Sequence, residues 1–111
     1  MPERRLRTRI PYKAQVGVEH PNGDISSAMG YDLSLKGICL EQRSPADVGK
    51  RYIVSMDIPH LDVKKKIRAE CIVYGLFPQK NAYRIGMRIV HLSLADSQWL
   101  KNYLDERTRL H

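Results

Sequence analysis

The sequence predicts a mainly β domain of about six antiparallel strands, followed by one α-helix near its end. Apolar and polar residues alternate through most of the chain with the period of two that a strand requires. The alternating stretches are short, and turn-forming residues separate them. After residue 93 the apolar residues recur at helical spacing instead. Within one domain of 111 residues, this pattern is typical of an antiparallel barrel or sandwich.

The first half of the chain is predicted to hold three strands, over residues 12–19, 25–33 and 38–42. The pair Asn22-Gly23 joins the first two, since these residues supply the positive φ angles of a tight hairpin. The segment 34–37 forms a turn before the third strand. Short turns are therefore expected to join these three strands.

The second half continues with strands over 51–58, from about 66 to 74, and over 83–89. Pro59 is predicted to end the first of these. The helix spans about 94–108, with Ser93 as its N-cap and Asp96 in its first turn. Its apolar face carries Trp99, which we interpret as a packing anchor against the sheet.

Charge and cysteine usage narrow the class of protein. The formal charge of +7 favours an anionic partner, although we interpret the run Lys64–Lys66 as a solvated turn. Cys39 and Cys71 lie far apart in apolar stretches and indicate buried thiols in a reducing compartment. The histidines lack metal-ligand spacing, and no apolar run suits a signal peptide or a membrane span. We therefore expect a cytoplasmic protein without a metal site.

Four arginines crowd the first ten residues: Arg4, Arg5, Arg7 and Arg9. Pro11 disfavours a helix through the preceding residue, so this segment is expected to enter the sheet in extended form. A guanidinium is a planar fork of donors that fits phosphate oxygens and also the O6 and N7 acceptors of guanine. The segment is therefore either a specific site for an anionic ligand or a loosely binding basic tail.

A second motif follows at Asp32-Leu-Ser34-Leu-Lys-Gly37. In a strand, Asp32 and Ser34 would share one face. The Asp32 carboxylate suits the paired N1 and N2 donors of guanine, and Gly37 is expected either to adopt a positive φ or to let a ligand approach the backbone. The alternative is a polar turn that only shapes a hairpin.

Together the two motifs resemble the PilZ domain family, whose hallmarks are Arg-x-x-x-Arg and, further along, Asp/Asn-x-Ser-x-x-Gly. Here they are Arg5-Leu-Arg-Thr-Arg9 and Asp32-Leu-Ser-Leu-Lys-Gly37. The late segment 83–89, Tyr-Arg-Ile-Gly-Met-Arg-Ile, is also similar to the family. This resemblance implies a six-stranded antiparallel barrel with a C-terminal helix, which binds cyclic di-GMP on its outside.

The resemblance also implies the residues of the site. The ligand-binding residues would be Arg4, Arg5, Arg9, Asp32, Ser34 and Gly37, with Tyr74 and Arg88 as secondary contacts. Residues 1–11 would form a flexible basic segment, and residues 12–111 the barrel domain with its helix.

The function that follows is a small bacterial cyclic di-GMP receptor or adaptor, whose ligand alters a surface for a downstream protein partner. Two alternatives remain: a barrel that binds single-stranded nucleic acid, or a PilZ fold that acts through protein contacts only. No spacing of nucleophile, base, phosphate loop or metal ligands indicates an enzyme.

Overall fold

The computed structural model describes residues 9–109, which form seven strands and one helix. They are β1 (Ile10–Pro11), β2 (Gln15–Glu19), β3 (Ile25–Leu33), β4 (Gly37–Gln42), β5 (Arg51–His60), β6 (Val63–Pro78), β7 (Tyr83–His91) and the helix α1 (Leu94–Arg109). All described strand pairs are antiparallel.

Six of the strands close into a barrel in the order β2, β3, β4, β7, β6, β5, because β5 pairs back with β2. The short strand β1 pairs with the end of β3, on the same edge that β2 uses further along. The predicted six-stranded antiparallel barrel with a C-terminal helix is therefore confirmed, with β1 as one additional strand.

The first predicted strand is wrong in its bounds, since the chain forms β1 before residue 12 and β2 only from residue 15. The break occurs where Tyr12 crosses Gly30 of β3. A Cβ atom on Gly30 would lie 2.5 Å from the Tyr12 carbonyl oxygen and 2.7 Å from its ring. The Tyr12 hydroxyl donates to the backbone oxygen of Asp57 at 3.0 Å. The strand is therefore interrupted where Tyr12 packs on Gly30. This contact joins residues far apart in sequence, so the local pattern does not indicate it.

Two boundaries around the β5–β6 hairpin also differ from the prediction. Pro59 does not end β5, because it pairs with Lys64 one step before the turn. The strand β6 begins at Val63, so Lys64–Lys66 lie in a strand and not in a turn. In the earlier β2–β3 hairpin, Gly23 has a positive φ of 93°, as predicted, but Asn22 does not.

The core lies inside the barrel and is continued by one face of α1. Alternate residues of β5 and β6, which a period of two places on one face of each strand, are buried: Tyr52, Val54, Met56, Ile58, Ile67, Ala69, Cys71 and Val73. Leu100, Tyr103 and Leu104 of the helix join the same core, and Trp99 stacks on Tyr103 with ring centroids 5.1 Å apart. The Ser93 hydroxyl accepts the Asp96 amide at 3.1 Å, which confirms the predicted cap. No described helix is long and apolar enough to cross a membrane.

Candidate functional site

Asp32, Cys39 and Gly86 lie side by side on β3, β4 and β7, and we call these three residues the outer row. Asp32 is opposite Cys39 in the register of β3 with β4, and Cys39 is opposite Gly86 in that of β4 with β7. Their strand neighbours point into the barrel: Leu33, Ile38, Leu40, Ile85 and Met87 are all buried in the core. Because successive residues of a strand alternate between faces, the outer row faces outward.

The first motif meets the second at this row. The Nη1 group of Arg9 donates to Oδ1 of Asp32 at 2.9 Å, across 23 positions of sequence. The pairing of Pro11 with Asp32 in β1 and β3 brings Arg9 to this place. The hydrogen bond to Asp32 raises the pKa of Arg9, against a lowering by burial, and the nearby Tyr74 hydroxyl adds to the rise. The site therefore contains a guanidinium and a carboxylate that satisfy each other.

Tyr74 covers the far end of the outer row. It is the extra residue of a β-bulge in β6, where the register with β7 shifts between Val73 and Gly75. Its ring lies over Gly86, since a Cβ atom there would be 2.5 Å from the ring Cζ atom and 2.7 Å from the hydroxyl. The residue Tyr74 as a whole is 51% exposed. The predicted secondary residue Tyr74 thus lies beside Arg9 and is partly exposed to solvent.

The turn after β3 differs from the prediction for the second motif at Ser34. Ser34 lies beyond the last residue of β3 and is only 3% exposed, so it does not share a strand face with Asp32. Its hydroxyl accepts the amides of Lys36 and Gly37, at 3.3 and 3.1 Å, and donates to the Gly37 carbonyl. The serine therefore holds the turn closed.

Gly37 is required by close packing of β4 against β7. It does not have a positive φ, which among the described glycines occurs only at Gly23 and Gly49. A Cβ atom on Gly37 would collide with the backbone oxygen of Met87. The sequence suggested that a ligand approaches the Gly37 backbone, whereas in the structure the Met87 backbone of β7 does so. This packing keeps the turn near the outer row.

Two further arginines share the outer face of β7 with Gly86. Arg84 donates to Glu41 at 2.9 Å, and its guanidinium stacks on the Tyr31 ring at 3.8 Å from the centroid. Arg88 is exposed and lies opposite Gly37 of the turn; within residues 9–109 it makes no ion pair. The predicted secondary residue Arg88 therefore adds positive charge next to the outer row.

Sequence reasoning missed Cys39 and Gly86 as members of this surface. Burial is the largest cause that raises the pKa of Cys39, to about 11, and Asp32 adds to it while Arg84 and Arg9 oppose it. The buried Cys39 thus lies at the floor of the site, and its thiol is close enough to both arginines to be influenced by their charges. The sequence did contain one signal for this surface. Gly86 lies between Arg84 and Arg88 on the same face of a predicted strand, and a glycine within a strand often marks a place where another group packs closely.

Other features lie away from this surface or outside the description. Arg4 and Arg5 lie outside the described residues. A groove of about 570 Å³ opens between the first half of β3, the end of β4 and the turn before β7, and no predicted site residue lines it. Within residues 9–109 no cluster of three histidine, cysteine or acidic residues could hold a metal ion. Cys39 and Cys71 are both buried free thiols, as predicted.

Comparisons with known proteins agree on one family and one fold. The family model for the PilZ domain matches residues 3–106. A search among curated proteins found no match. The inhibitor of motility MotI/DgrA from Bacillus subtilis superposes with a TM-score of 0.80 at 17% identity, covering 90% of this chain and 49% of that one.

Two similar structures were solved with ligand. The PilZ domain of YcgR from Escherichia coli, with c-di-GMP, has a TM-score of 0.70 and 16% identity, covering 92% of this chain and 89% of that one. The MrkH–c-di-GMP complex from K. pneumonia has a TM-score of 0.66 and 16% identity, covering 94% and 54%. The chain thus spans about half the length of MotI/DgrA and MrkH. At these identities the likeness shows the fold.

Proposed function

Because the chain belongs to the PilZ domain family, we propose that it is a cyclic di-GMP receptor whose ligand binds on the outer surface of the barrel around Arg9 and Asp32. The observation that carries this proposal is the 2.9 Å contact between these two side chains. It joins residues of both family motifs at one point on the surface. YcgR and MrkH, which share the fold, have been solved with c-di-GMP.

The chemistry of the surface fits a guanine nucleotide. A carboxylate such as Asp32 accepts both donors of guanine's Watson–Crick edge, which adenine lacks. An arginine fork fits the O6 and N7 atoms of the same base or a phosphate. Tyr74, an exposed residue beside Arg9, offers an aromatic ring on which a base could stack, and such stacking is worth about 1–3 kcal/mol per base.

The Arg9–Asp32 ion pair makes the site selective, because a ligand must compete with this ion pair for the same two side chains. A ligand must separate the two side chains and then satisfy both. A base that supplies an acceptor to Arg9 but no donor to Asp32 leaves a desolvated carboxylate unpaired, which costs about 1–3 kcal/mol or more for a charged group. Guanine supplies both kinds of partner, so it replaces the ion pair without leaving either group unsatisfied.

The remaining motif residues are assigned supporting roles in this proposal. Arg4 and Arg5 add guanidinium contacts to guanine and phosphate from the N-terminal segment 1–11. Arg88 supplies a further positive charge beside the turn. Ser34 and Gly37 belong to the site through the turn that they build, and direct contact of the Ser34 hydroxyl with ligand requires exchange of one of its turn hydrogen bonds.

The output of the receptor is a changed surface and not a catalysed reaction. Arg4 and Arg5, which precede β1, carry two of the proposed ligand contacts, so the bound ligand holds them against the barrel. Fixing a residue costs about 1–2 kcal/mol, which the ligand contacts must offset. The clamped segment then presents a different surface to a downstream protein partner.

The experiment is calorimetric titration of the chain with cyclic di-GMP, beside GTP and cyclic di-AMP. We expect binding near micromolar for cyclic di-GMP, about −8 kcal/mol, and much weaker binding of the other two. Arg5→Ala and Asp32→Ala should abolish binding while circular dichroism remains unchanged. Arg43→Ala and Asp47→Ala are matched controls, since both residues are exposed and lie outside the site.

Each contrary result points to a different alternative. If Arg5→Ala and Asp32→Ala bind like the parent chain, the site is misplaced. If the chain binds an oligonucleotide more tightly than cyclic di-GMP at both low and high salt, the nucleic-acid alternative is favoured. If it binds neither, the fold acts through protein contacts only.

A further inference from the structure

Two consecutive residues of β3, Tyr31 and Asp32, face the outside of the barrel because the strand contains a β-bulge. Gly30 and Leu33 are both buried, and both lie opposite core residues of β4. Strict alternation would place residues three positions apart on opposite faces of a strand. The register of β3 with β4 shifts between Gly30 and Asp32, so Tyr31 is the extra residue of the bulge. The bulge therefore adds an outward tyrosine directly before Asp32.

The backbone of this bulge determines where Asp32 lies. Within residues 9–109 the Asp32 side chain has one hydrogen-bond partner, Arg9, whose own side chain is 46% exposed. An ion pair this exposed holds its partners in place only weakly. On the β1 side, the Tyr12 amide donates to the Tyr31 carbonyl at 3.1 Å. The bulge is thus held on one edge by the backbone, and the Tyr31 side chain is the second point at which it is held.

Arg84 of β7 holds the Tyr31 side chain. Its guanidinium lies 3.8 Å from the centroid of the Tyr31 ring, whereas the Nζ atom of Lys13 is 5.1 Å from that centroid. Arg84 also donates to Glu41 at 2.9 Å, and these two residues are opposite each other in the register of β4 with β7. The bulge of β3 is thereby connected to the two strands that carry the rest of the outer row.

The stack on Tyr31 is the interaction that explains an arginine at position 84. The Arg84 Nε atom is buried and finds no hydrogen-bond partner in the described part of the chain. A buried donor without a partner is unfavourable. A lysine would form an ion pair with Glu41 without burying such a donor, but only the planar guanidinium stacks on an aromatic ring. The ion pair alone therefore does not account for this residue.

We propose that Arg84 is a positioning residue of the ligand site, which stacks on Tyr31, fixes the β3 bulge and so directs the Asp32 carboxylate towards guanine. This inference rests on the proposed function, because it concerns affinity for the same ligand. The guanidinium of Arg84 is already engaged by Glu41 and Tyr31, so it acts through Asp32. Hydrogen bonds weaken steeply when their geometry departs from the optimum, so a loosely held Asp32 pairs less well with the two donors of guanine.

The first test is calorimetric titration of three variants with cyclic di-GMP and cyclic di-AMP. Arg84→Lys retains the positive charge without the planar group, and Tyr31→Leu retains the arginine without the ring. Both should weaken cyclic di-GMP binding about tenfold, and cyclic di-AMP binding by less, because only guanine uses both Asp32 contacts. Tyr31→Phe retains the ring and should bind like the parent chain.

The matched control is Arg68→Lys. Arg68 also pairs with a glutamate of another strand, Glu19 at 3.1 Å, but within residues 9–109 it stacks on no aromatic ring. This variant should bind like the parent chain. Equal weakening in Arg68→Lys and Arg84→Lys would overturn the proposal, as would unchanged cyclic di-GMP binding in both Arg84→Lys and Tyr31→Leu.

A double variant separates positioning from direct contact with ligand. If Arg84 acts through Asp32, Arg84→Lys should weaken cyclic di-GMP binding little further once Asp32→Asn is present. If the two effects are additive, Arg84 contacts the ligand independently of Asp32, and the positioning role is wrong.

A second measurement needs no ligand. Cys39 is opposite Asp32 in the register of β3 with β4 and is only 8% exposed. In Arg84→Lys and Tyr31→Leu, iodoacetamide should alkylate Cys39 several-fold faster, while the rate at the core residue Cys71 stays unchanged. Faster alkylation of both thiols would indicate general destabilisation and overturn the proposal, and so would unchanged rates at both. If the parent chain does not bind cyclic di-GMP, the proposed function fails, and the alkylation rates alone decide whether Arg84 fixes the bulge.

Discussion

The outer row and the tip of the β5–β6 hairpin differ in how well their side chains are satisfied. Leu61, Asp62 and Val63 form this hairpin tip. At the outer row a guanidinium and a carboxylate satisfy each other at 2.9 Å, and an aromatic ring fills the space above a glycine. At the hairpin tip a leucine is exposed on a strained backbone, without any described partner. A ligand at the outer row must exchange existing interactions, which favours selectivity.

The largest effect is expected from a substitution that tests how tightly Gly37, at the end of the second motif, packs against β7. Gly37→Ala places a Cβ atom against the Met87 carbonyl, and the change should lower the free energy of unfolding by about 2–3 kcal/mol in urea denaturation. Gly17→Ala is the matched control, since its Cβ atom would meet only the Ser55 side chain at 3.8 Å. Equal stability of the two variants would contradict close packing at Gly37.

The next effect tests the exchange of partners at the outer row. Asp32→Asn removes the charge that pairs with Arg9 and replaces an acceptor-only group with one that also donates. The ratio of cyclic di-GMP affinity to cyclic di-AMP affinity should fall at least about tenfold, or about 1.4 kcal/mol, in calorimetry. If the parent chain binds cyclic di-GMP and this ratio is unchanged, the Arg9–Asp32 pair does not set selectivity.

A smaller effect concerns the strain at the hairpin tip. Leu61→Gly should raise the free energy of unfolding by about 1 kcal/mol, because relief of the positive φ exceeds the added entropy of the unfolded chain. Val48→Gly, at an exposed valine without a positive φ, should lower it. The measurement is urea denaturation of both variants. A loss of stability in Leu61→Gly would show that the leucine contributes to folding.

The smallest effect uses the two cysteines as reporters. Burial raises the pKa of Cys39 to about 11 and that of Cys71 to about 12, so at pH 8.5 both thiols remain almost fully protonated. Alkylation by iodoacetamide, followed by mass spectrometry, should be slow and rise about tenfold per pH unit below these values. Cyclic di-GMP should slow the reaction of Cys39 a few-fold and leave that of Cys71 unchanged. Equal slowing of both would indicate general stabilisation and not a ligand at the outer row.

The same raised pKa values predict how stability depends on pH. A thiol whose pKa is higher in the folded chain contributes stability that is complete below its unfolded pKa, near 8.5, and is lost as pH rises towards the folded value. Cys39→Ala should therefore lose less stability between about pH 9 and 11 than the parent chain. A parallel loss in both would show that Cys39 is not buried as a protonated thiol.

The sequence predicted the strands wherever alternation alone decides their position. Residues 25–33 match β3, and in β6 a single face carries the buried residues Ile67, Ala69, Cys71 and Val73, as a period of two requires. The helix also lies where its cap and period place it. Prediction was wrong where a distant contact overrides local pattern, as at Tyr12, whose passage over Gly30 breaks the first strand.

The candidate site shows the same division. Asp32 and Arg9 could be selected from their chemistry and from the resemblance to the PilZ family. The bulge that places Tyr74 over Gly86 and the neighbours that enclose Cys39 arise from strand registers, which a period of two does not specify. For the same reason the role of Gly37 was only half predicted. Close approach was expected, but the approaching group is the Met87 backbone.

Alternation and motif spacing are properties of the chain itself, so the sequence alone determined the class of fold, the family and the acidic and basic residues that we assign to ligand. Tertiary structure alone decided which of these residues meet, because register and barrel closure set distances between atoms that are far apart in sequence. It also revealed the strained, exposed leucine at the hairpin tip. Its φ angle depends on the geometry of the two strands that flank it, and not on the residue itself.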